Sequence, residues 1–501
     1  MTNLTGMRSA VCLAALIAGS AAQADVTAAQ VWEDWKSQMA LYGEDGISIG
    51  AEETSSGTVT VRDLAVNYAD DDVAFEMNIG DIIFNEQSDG TVRVTMADSY
   101  PFVITAEDGT VINIEVSQTN VDMIVSGDPD AMNYDVTADQ YKIAFVDAVN
   151  GDVTFGGDAT LTANNVTASS TSTIGETRET SYSATVDVID MLVDFQIPGS
   201  GGEYVAAAAK YNDLSVQGEV SMPVDVEQIA PGQLVAAGMT TAGGYIIESS
   251  DFVVDVNAED NQFAASGSTG QATFTVAMSD AAVAYDTAVD DLDLSMQSSE
   301  LPLPIDINMA RYGLSFEVPI AETEEPAPMG ISFDLIDLTM SDGLWNLFDP
   351  GSILPRNPAT IQLSLQGTVR AMLNVMDPED QMAMAMGGGA PFEPETLVLE
   401  TLNIDAAGAL VTGEGAFTFD NTDMQSFAPL PRPEGEAKVE ITGFNTLLDN
   451  LVAMGVVPEQ DVMGARMMMG MFARSTGEDS METAVEILPN GQVNVNGNRV
   501  R

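Results

Sequence analysis

The side chains available for chemistry are almost all carboxylates. The chain carries 77 Asp and Glu against 16 Lys and Arg, one cysteine and no histidine, for a formal charge of −61 at neutral pH. Without histidine it lacks the commonest general base and the commonest metal ligand. Serine-triad hydrolysis, zinc hydrolysis and most phosphatase chemistry are thereby disfavoured. Cys12 falls inside an apolar leader, so the rest of the chain offers no thiolate to a metal, a disulfide or a nucleophilic reaction. Carboxylate catalysis remains open, and it would need two acids facing each other across a cleft, as in glycosidases. With this many acids such pairs arise by composition alone, so the sequence nominates no catalytic residue, no metal ligand and no cofactor.

The acidic clusters Asp70-Asp71-Asp72, Asp128-Pro129-Asp130 and Asp290-Asp291-Leu292-Asp293 lack the spacing and terminal glutamate of a calcium loop. Each is expected at a turn or strand end, as solvated surface. No Walker loop, dinucleotide fingerprint or nucleophile elbow occurs in a fitting context. So negative a surface repels phosphate backbones and anionic headgroups, which excludes nucleic acid as a partner. It would also keep an exported protein soluble, without implying a cationic ligand.

Large, soft apolar groups gather at Trp32 and Trp35, at Trp345 and Phe348, and at Leu448, Leu451, Met463, Met467 and Met471. Where helices cover a sheet such residues ordinarily form its core. The alternative is a groove for an acyl chain or another apolar partner, because methionine adapts to irregular ligands.

Residues 1–24 read as a secretory signal peptide. Arg8 and the amino terminus supply positive charge, Ser9 to Gly19 the apolar stretch, and Ala22-Gln23-Ala24 the small residues needed for cleavage before Asp25. An uncleaved anchor is the competing reading. No later apolar run reaches ~20 residues, so no transmembrane span is expected, and the predicted location is the periplasm of a Gram-negative bacterium. The chain beyond the leader is long enough for one extended or several compact units. We divide it into a β-rich region over 25–321 and a second over 329–501. The acidic, proline-bearing segment Glu322 to Pro328 is either the boundary between them or a hairpin loop within one sheet.

A helix is predicted over 27–42, capped by Thr27, with Val31, Trp35, Met39 and Tyr42 at near-helical spacing. From about 46 to 224 the apolar residues recur every second position, with turn signals such as Ser88-Asp89-Gly90 between runs, which indicates antiparallel hairpins and meanders. A short helix is expected near 225–239, then strands at 251–256, 272–278, 292–296, 305–309 and 314–318. Leu344 to Phe348 suit a short helix ended by Asp349-Pro350-Gly351, and Thr360 to Val369 a strand. The methionine-rich stretch 377–387 reads as a mobile loop or frayed helix. Strands over 396–404, 408–419 and 435–443 come next, with Gly413 and Gly415 marking a bend or bulge. Helices over 444–454 and 459–473 precede a closing hairpin that turns at Pro489-Asn490-Gly491. The fold class is therefore mainly β: long curved antiparallel sheets with a few covering helices, including one at the N-terminus and a C-terminal pair near 444–473.

The passage Leu344-Trp345-Asn346-Leu347-Phe348-Asp349-Pro350, followed by Leu354-Pro355-Arg356-Asn357-Pro358-Ala359-Thr360 and a strand ending at Gly367, resembles the central signature of the domain-of-unknown-function 2125 family of alphaproteobacterial exported proteins. The strand containing Gly408, the strand Gly413 to Phe419, the helix start at Gly443 and the closing Asn490-Gly491-Gln492-Val493 agree with it, as do Trp32 and Trp35 at the opening. The resemblance implies no activity and no catalytic residues, since the family has none established. Its strand-rich architecture is loosely similar to AsmA and TamB-like envelope proteins, whose curved sheets are linked to lipid traffic or outer-membrane homeostasis. By analogy of architecture alone, the expected role is a non-enzymatic envelope protein that binds lipid or another apolar ligand, or assists envelope assembly. The alternatives are a structural, self-associating surface protein and a carboxylate-dependent enzyme acting on polysaccharide.

Overall fold

Alternating β-branched and polar residues favour extended chain with one apolar face, and such faces are stable only when strands pair side by side. In the computed structural model, which describes residues 26–39, 46–69, 73–197, 201–224, 234–258, 261–301, 303–374, 377–386 and 390–501, the strands join one 27-stranded sheet. Every pairing in it is antiparallel, and most run between strands consecutive in sequence, so the chain forms a meander. The strands are long. Thr177–Gln196 and Tyr204–Pro223 have 20 residues each, about 65 Å of extended chain. Elsewhere two shorter strands lie end to end to complete a rung of the same length: Val111–Thr119 and Asp122–Asp128 both pair along Ala131–Asn150.

Midway along the rungs the apolar alternation shifts by one residue. Val59 and Val61 are followed by Leu64 and Val66; Ala209 and Tyr211 by Leu214 and Val216; Phe333 and Leu335 by Leu338 and Met340. In an ordinary strand this shift would send the second half of the apolar set to the opposite face. Instead one residue at the shift turns left-handed: Asp63, Asn120, Asn165, Asp213, Asp291 and Asp337 have φ between 50° and 53°. Asp and Asn tolerate this region better than other side chains. The apolar side chains thus stay on one face, as shown by Val61 and Leu64, which flank Asp63 and are buried in the same core cluster.

That cluster is built under the first helix, α1 (Ala28–Met39). Thr27 and Gln30 close a reciprocal cap, the Thr27 amide donating to Gln30 Oε1 at 2.9 Å and the Gln30 amide to Thr27 Oγ1 at 3.4 Å. The helix lays Val31 and Trp32 onto Val59, Val61, Ile82, Phe84, Val92, Val94 and Val125. Trp35 meets Phe84 edge-on at 5.2 Å, and Trp32 meets it tilted at 5.7 Å. The remaining helices are α2 (Asp342–Phe348), α3 (Pro378–Ala385), α4 (Phe444–Ala453) and α5 (Glu459–Phe472). No helix of the described chain is long and apolar enough to cross a membrane.

The mainly β class and the helices at both ends agree with the sequence. Several details differ. The stretches 305–309 and 314–318 are one strand, Ile305–Pro319, in continuous register with Ala282–Ser298; the phase shift between Met309 and Tyr312 imitates a break. Likewise 251–256 and 292–296 are the second halves of Thr240–Ala258 and Ala282–Ser298. Asp290 to Asp293 lie inside a strand rather than at its end, because Asp291 is one of the left-handed residues. The bulge expected at Gly413 and Gly415 is carried by the facing strand, where the register shifts between Leu399 and Leu402. The methionine-rich stretch includes a two-turn helix, α3. Ile305–Pro319 pairs with Ala327–Met340 across the Glu322 to Pro328 segment, so the sheet runs on through it. The leader 1–24 with Cys12, Tyr42, Gly43, Asp70 to Asp72 and residues 225–233 lie outside the described residues; 234–239 form a turn.

The left-handed positions give a direct test. Asp213→Gly should leave stability nearly unchanged, because glycine enters this region freely. Asp213→Val should cost about 1–3 kcal/mol in a denaturant titration, since a β-branched residue is strained there.

Candidate functional site

Sequence-predicted site residues fall in three separate places. Trp32 is 2 % exposed and belongs to the core under α1, with Trp35 packed beside it. Trp345 and Phe348 lie on α2, close to Ile305–Pro319. Leu448 and Leu451 lie on α4, where Leu448 is buried, and α4 packs on Ala409–Asp420 and on α5. Met463, Met467 and Met471 lie on α5 and are all exposed. The nine residues therefore do not line one groove.

α1 is held by a buried polar cluster. Asp34 is the acceptor: Arg178 Nη1 donates to its Oδ1 at 2.8 Å, the Tyr134 hydroxyl to its Oδ2 at 2.6 Å and Gln38 Nε2 to the same oxygen at 2.8 Å. Arg178 also reaches Ser172 and Ser37, at 3.0 and 2.8 Å. Arg178 sits in the strand Thr177–Gln196, so one carboxylate joins the helix to a strand 144 residues away. Burial, and then the hydrogen bond to Asp34, push the Tyr134 hydroxyl well above its ordinary range. The cluster is closed on itself, which suits anchoring.

A second knot centres on Arg356. Its guanidinium donates to Asp342, to Asn346 Oδ1 at 2.6 Å, to Ser352 Oγ at 2.9 Å and to the Asp349 carbonyl at 3.2 Å, and it lies 5.8 Å from the centre of the Trp345 ring. The fully buried Asp349 carboxylate accepts the amides of Ile353 and Leu354, each at 3.0 Å. Pro355 packs over the turn at Gly408 (φ 85°), where a Cβ would meet its ring at 2.9 Å. The tryptophan, arginine and prolines singled out from sequence are thus a structural rivet that fixes α2 and leaves Leu347 and Phe348 exposed.

A feature that the sequence reading missed is an aromatic ladder. Tyr245 stacks on Phe274 at 5.3 Å, Phe274 meets Tyr285 edge-on at 5.4 Å, and Tyr285 stacks on Phe316 at 5.4 Å. Four neighbouring strands each supply one ring, and Phe316 passes the row to Ile331, Leu365 and Leu399 through direct cross-strand pairs. Tyr245, Phe316 and Ile331 are 40, 37 and 46 % exposed. The signal was present as aromatic residues at matching strand depths, but strand pairing is needed to see it. Helix α1 lies over Thr58–Ala69 and Val73–Glu86 and α4 against Ala409–Asp420, while α2 starts beside Asp306, at the opposite end of the strand that supplies Phe316. A separate open hollow of about 410 Å³ is lined by Asn67, Tyr68, Phe75, Glu76 and Val103. Among the described residues no group of three or more acids is placed to hold a metal ion.

A family model described as an uncharacterized protein conserved in bacteria, DUF2125, matches residues 205–497. The chain belongs to this family. The DUF2125 match takes in the ladder, the Arg356 knot and the α4–α5 pair, whereas Trp32, Trp35 and the core under α1 lie outside it. No curated protein and no solved structure matches the chain.

The Asp34 cluster makes two expectations. Asp34→Asn should lower stability by about 3 kcal/mol, because Arg178 loses its charge partner in a largely buried place. Since the Tyr134 proton is held more tightly in the folded chain, that stabilisation is complete below about pH 10 and lost as pH climbs further. Denaturant midpoints measured from pH 8 to 11.5 should fall more steeply in wild type than in Tyr134→Phe.

Proposed function

We propose that this DUF2125 protein is a non-enzymatic component of the bacterial cell envelope that binds the acyl chain of a lipid along the apolar face of its sheet. The reading rests on the ladder from Tyr245 through Phe274, Tyr285 and Phe316 to Ile331, Leu365 and Leu399. It crosses seven neighbouring strands, roughly 29 Å at the usual strand spacing. A continuous, half-exposed apolar track of that length suits a long flexible chain better than a compact metabolite, and rings accept methylene groups without fixed geometry. The signal-like leader supports export, and the charge of −61 favours contact through the apolar chain over contact with an anionic headgroup.

The edges of the sheet speak against self-association as the main role. One edge is the fully exposed five-residue strand Ala51–Ser55, which carries Glu52 and Glu53; at the other end Val493–Val495 and Asn498–Arg499 have three and two residues. Short and charged edges resist further pairing.

Native mass spectrometry of the protein purified from the periplasmic fraction of its own host, with no delipidating step, tests the reading. The expected species is leader-free and carries lipid, and Tyr285→Ser with Phe316→Ser should weaken lipid retention about tenfold or more, ~1.4 kcal/mol. Wild-type protein emerging with no ligand, or a chain confined to the cytoplasm, overturns it.

A further inference from the structure

Helix α5 presents the wrong kind of surface for an ordinary covering helix. It packs beside α4, and on its covered side Val462 is buried, with Ala465 and Met469 half-buried at the next helical positions. The opposite side of such a helix normally carries charged or polar groups. Here it carries Met463, Met467, Met468 and Met471, all between 60 and 68 % exposed. Residues 463, 467 and 471 stack four apart along one stripe, with 468 flanking 471 at three, so the Cβ atoms of each neighbouring pair (463 and 467, 467 and 471, 468 and 471) are about 5–6 Å apart, and the stripe runs about 12 Å from Met463 to Met471. Three rotatable bonds per side chain let neighbouring thioethers, such as those of Met467, Met468 and Met471, converge on one point.

The electrostatics leave this stripe open to a cation. Arg466, the one basic residue of α5, is drawn to α4, with Nη2 donating to Asp449 Oδ1 at 2.7 Å and Nε to Asn445 Oδ1 at 3.1 Å. Arg474, just past the helix, is paired with Glu482 at 2.6 Å. Met467, Met468 and Met471 occupy the last turns of the helix, its partially negative end, in a chain of charge −61. The choice of residue also matters. Five of the fourteen α5 residues are methionine and none is leucine or isoleucine, although those would cover an apolar partner equally well. Thioether sulfur is a soft, neutral donor that selects soft cations over Mg²⁺, Ca²⁺ or Zn²⁺. With no histidine anywhere and the one cysteine at position 12, no stronger soft ligand competes for such an ion outside the leader.

We propose that the exposed face of α5 formed by Met463, Met467, Met468 and Met471 is a binding site for a soft monovalent metal cation of the Cu(I) class. This site stands apart from the aromatic ladder and does not depend on the lipid reading. Ag(I), which takes the same donors and does not change oxidation state in air, is the probe. Titrated into the full leader-free chain, Ag(I) should bind α5 at one equivalent and shift the Met463, Met467, Met468 and Met471 methyl signals of ¹³C-methyl-methionine protein before those of other methionines. The triple variant Met463→Leu, Met467→Leu, Met471→Leu keeps the helix and its apolar area, and should bind Ag(I) about tenfold more weakly or worse. Met382→Leu with Met386→Leu, at the end of α3, should leave the affinity unchanged. Equal Ag(I) affinity in the triple variant and wild type, or first shifts at other methionines, overturns the proposal. Met467→Leu alone, read by the same methyl signals, serves if the triple variant does not fold.

Discussion

Everything in this sheet depends on keeping one side apolar along rungs as long as 20 residues. A strand of that length accumulates twist, and strict alternation would commit the whole rung to a single straight pleat. The chain instead shifts its alternation by one residue near mid-rung and restores the facing with a single left-handed residue. Because the shift occurs at the same depth in neighbouring strands, the left-handed residues and their partners form a row across the sheet: Asn120 donates to Asp139 at 2.6 Å and Asn165 to Asp187 at 2.9 Å. Register on either side of the row stays in step, so Val186 opposes Leu214 and Val188 opposes Asn212. The α1 core and the aromatic ladder both lie on the face that this arrangement preserves.

The positions of α1, α2, α4 and α5 were legible because each is bounded by local chemistry: Thr27 with Gln30 at one start, Gly443 and Pro458 before α4 and α5, Asp349-Pro350-Gly351 after α2. Strand existence was legible from alternation. Strand length was not, because a one-residue shift looks the same as a short loop until pairing shows that register continues. The clue lay in recurring triplets, Arg62-Asp63-Leu64, Asn164-Asn165-Val166, Asn212-Asp213-Leu214, Asp290-Asp291-Leu292 and Ile336-Asp337-Leu338, each with an acid or amide between the two apolar phases. The facing of α5 was equally hidden. It carries two stripes: Val462, Ala465 and half-buried Met469 lie on the covered side, while the larger methionine stripe faces outward.

Charge is distributed by the same geometry. Polar positions point to the solvated side of each rung, where carboxylates stand about one strand spacing apart, and amides interleaved at Asn120, Asn165 and Gln271 turn some repulsive neighbours into hydrogen bonds. Some of the few basic residues join one strand to the next or a helix to a strand. Arg178 ties α1 to its strand, Arg370 reaches Glu393 and Glu395, and Arg432 reaches Asp420 and Asp423. Exposed pairs of this kind add little each. The pair at Asp34 differs, because its carboxylate is buried and every oxygen is matched.

Stability and exposure are divided along the chain. The core cluster under α1 draws only on residues 26 to 132, while the DUF2125 match begins at residue 205. The part shared with the family therefore lies beyond the α1 core. A meander tolerates this because each rung is supported mainly by its two neighbours, as in repeat proteins, so a well-packed end can stabilise successive rungs without a core beneath each one. The short, charged edge strands then stop the same logic from recruiting further copies. An apolar surface that is neither buried by the fold nor used at its edges is free to serve a ligand, and that is the position the ladder occupies.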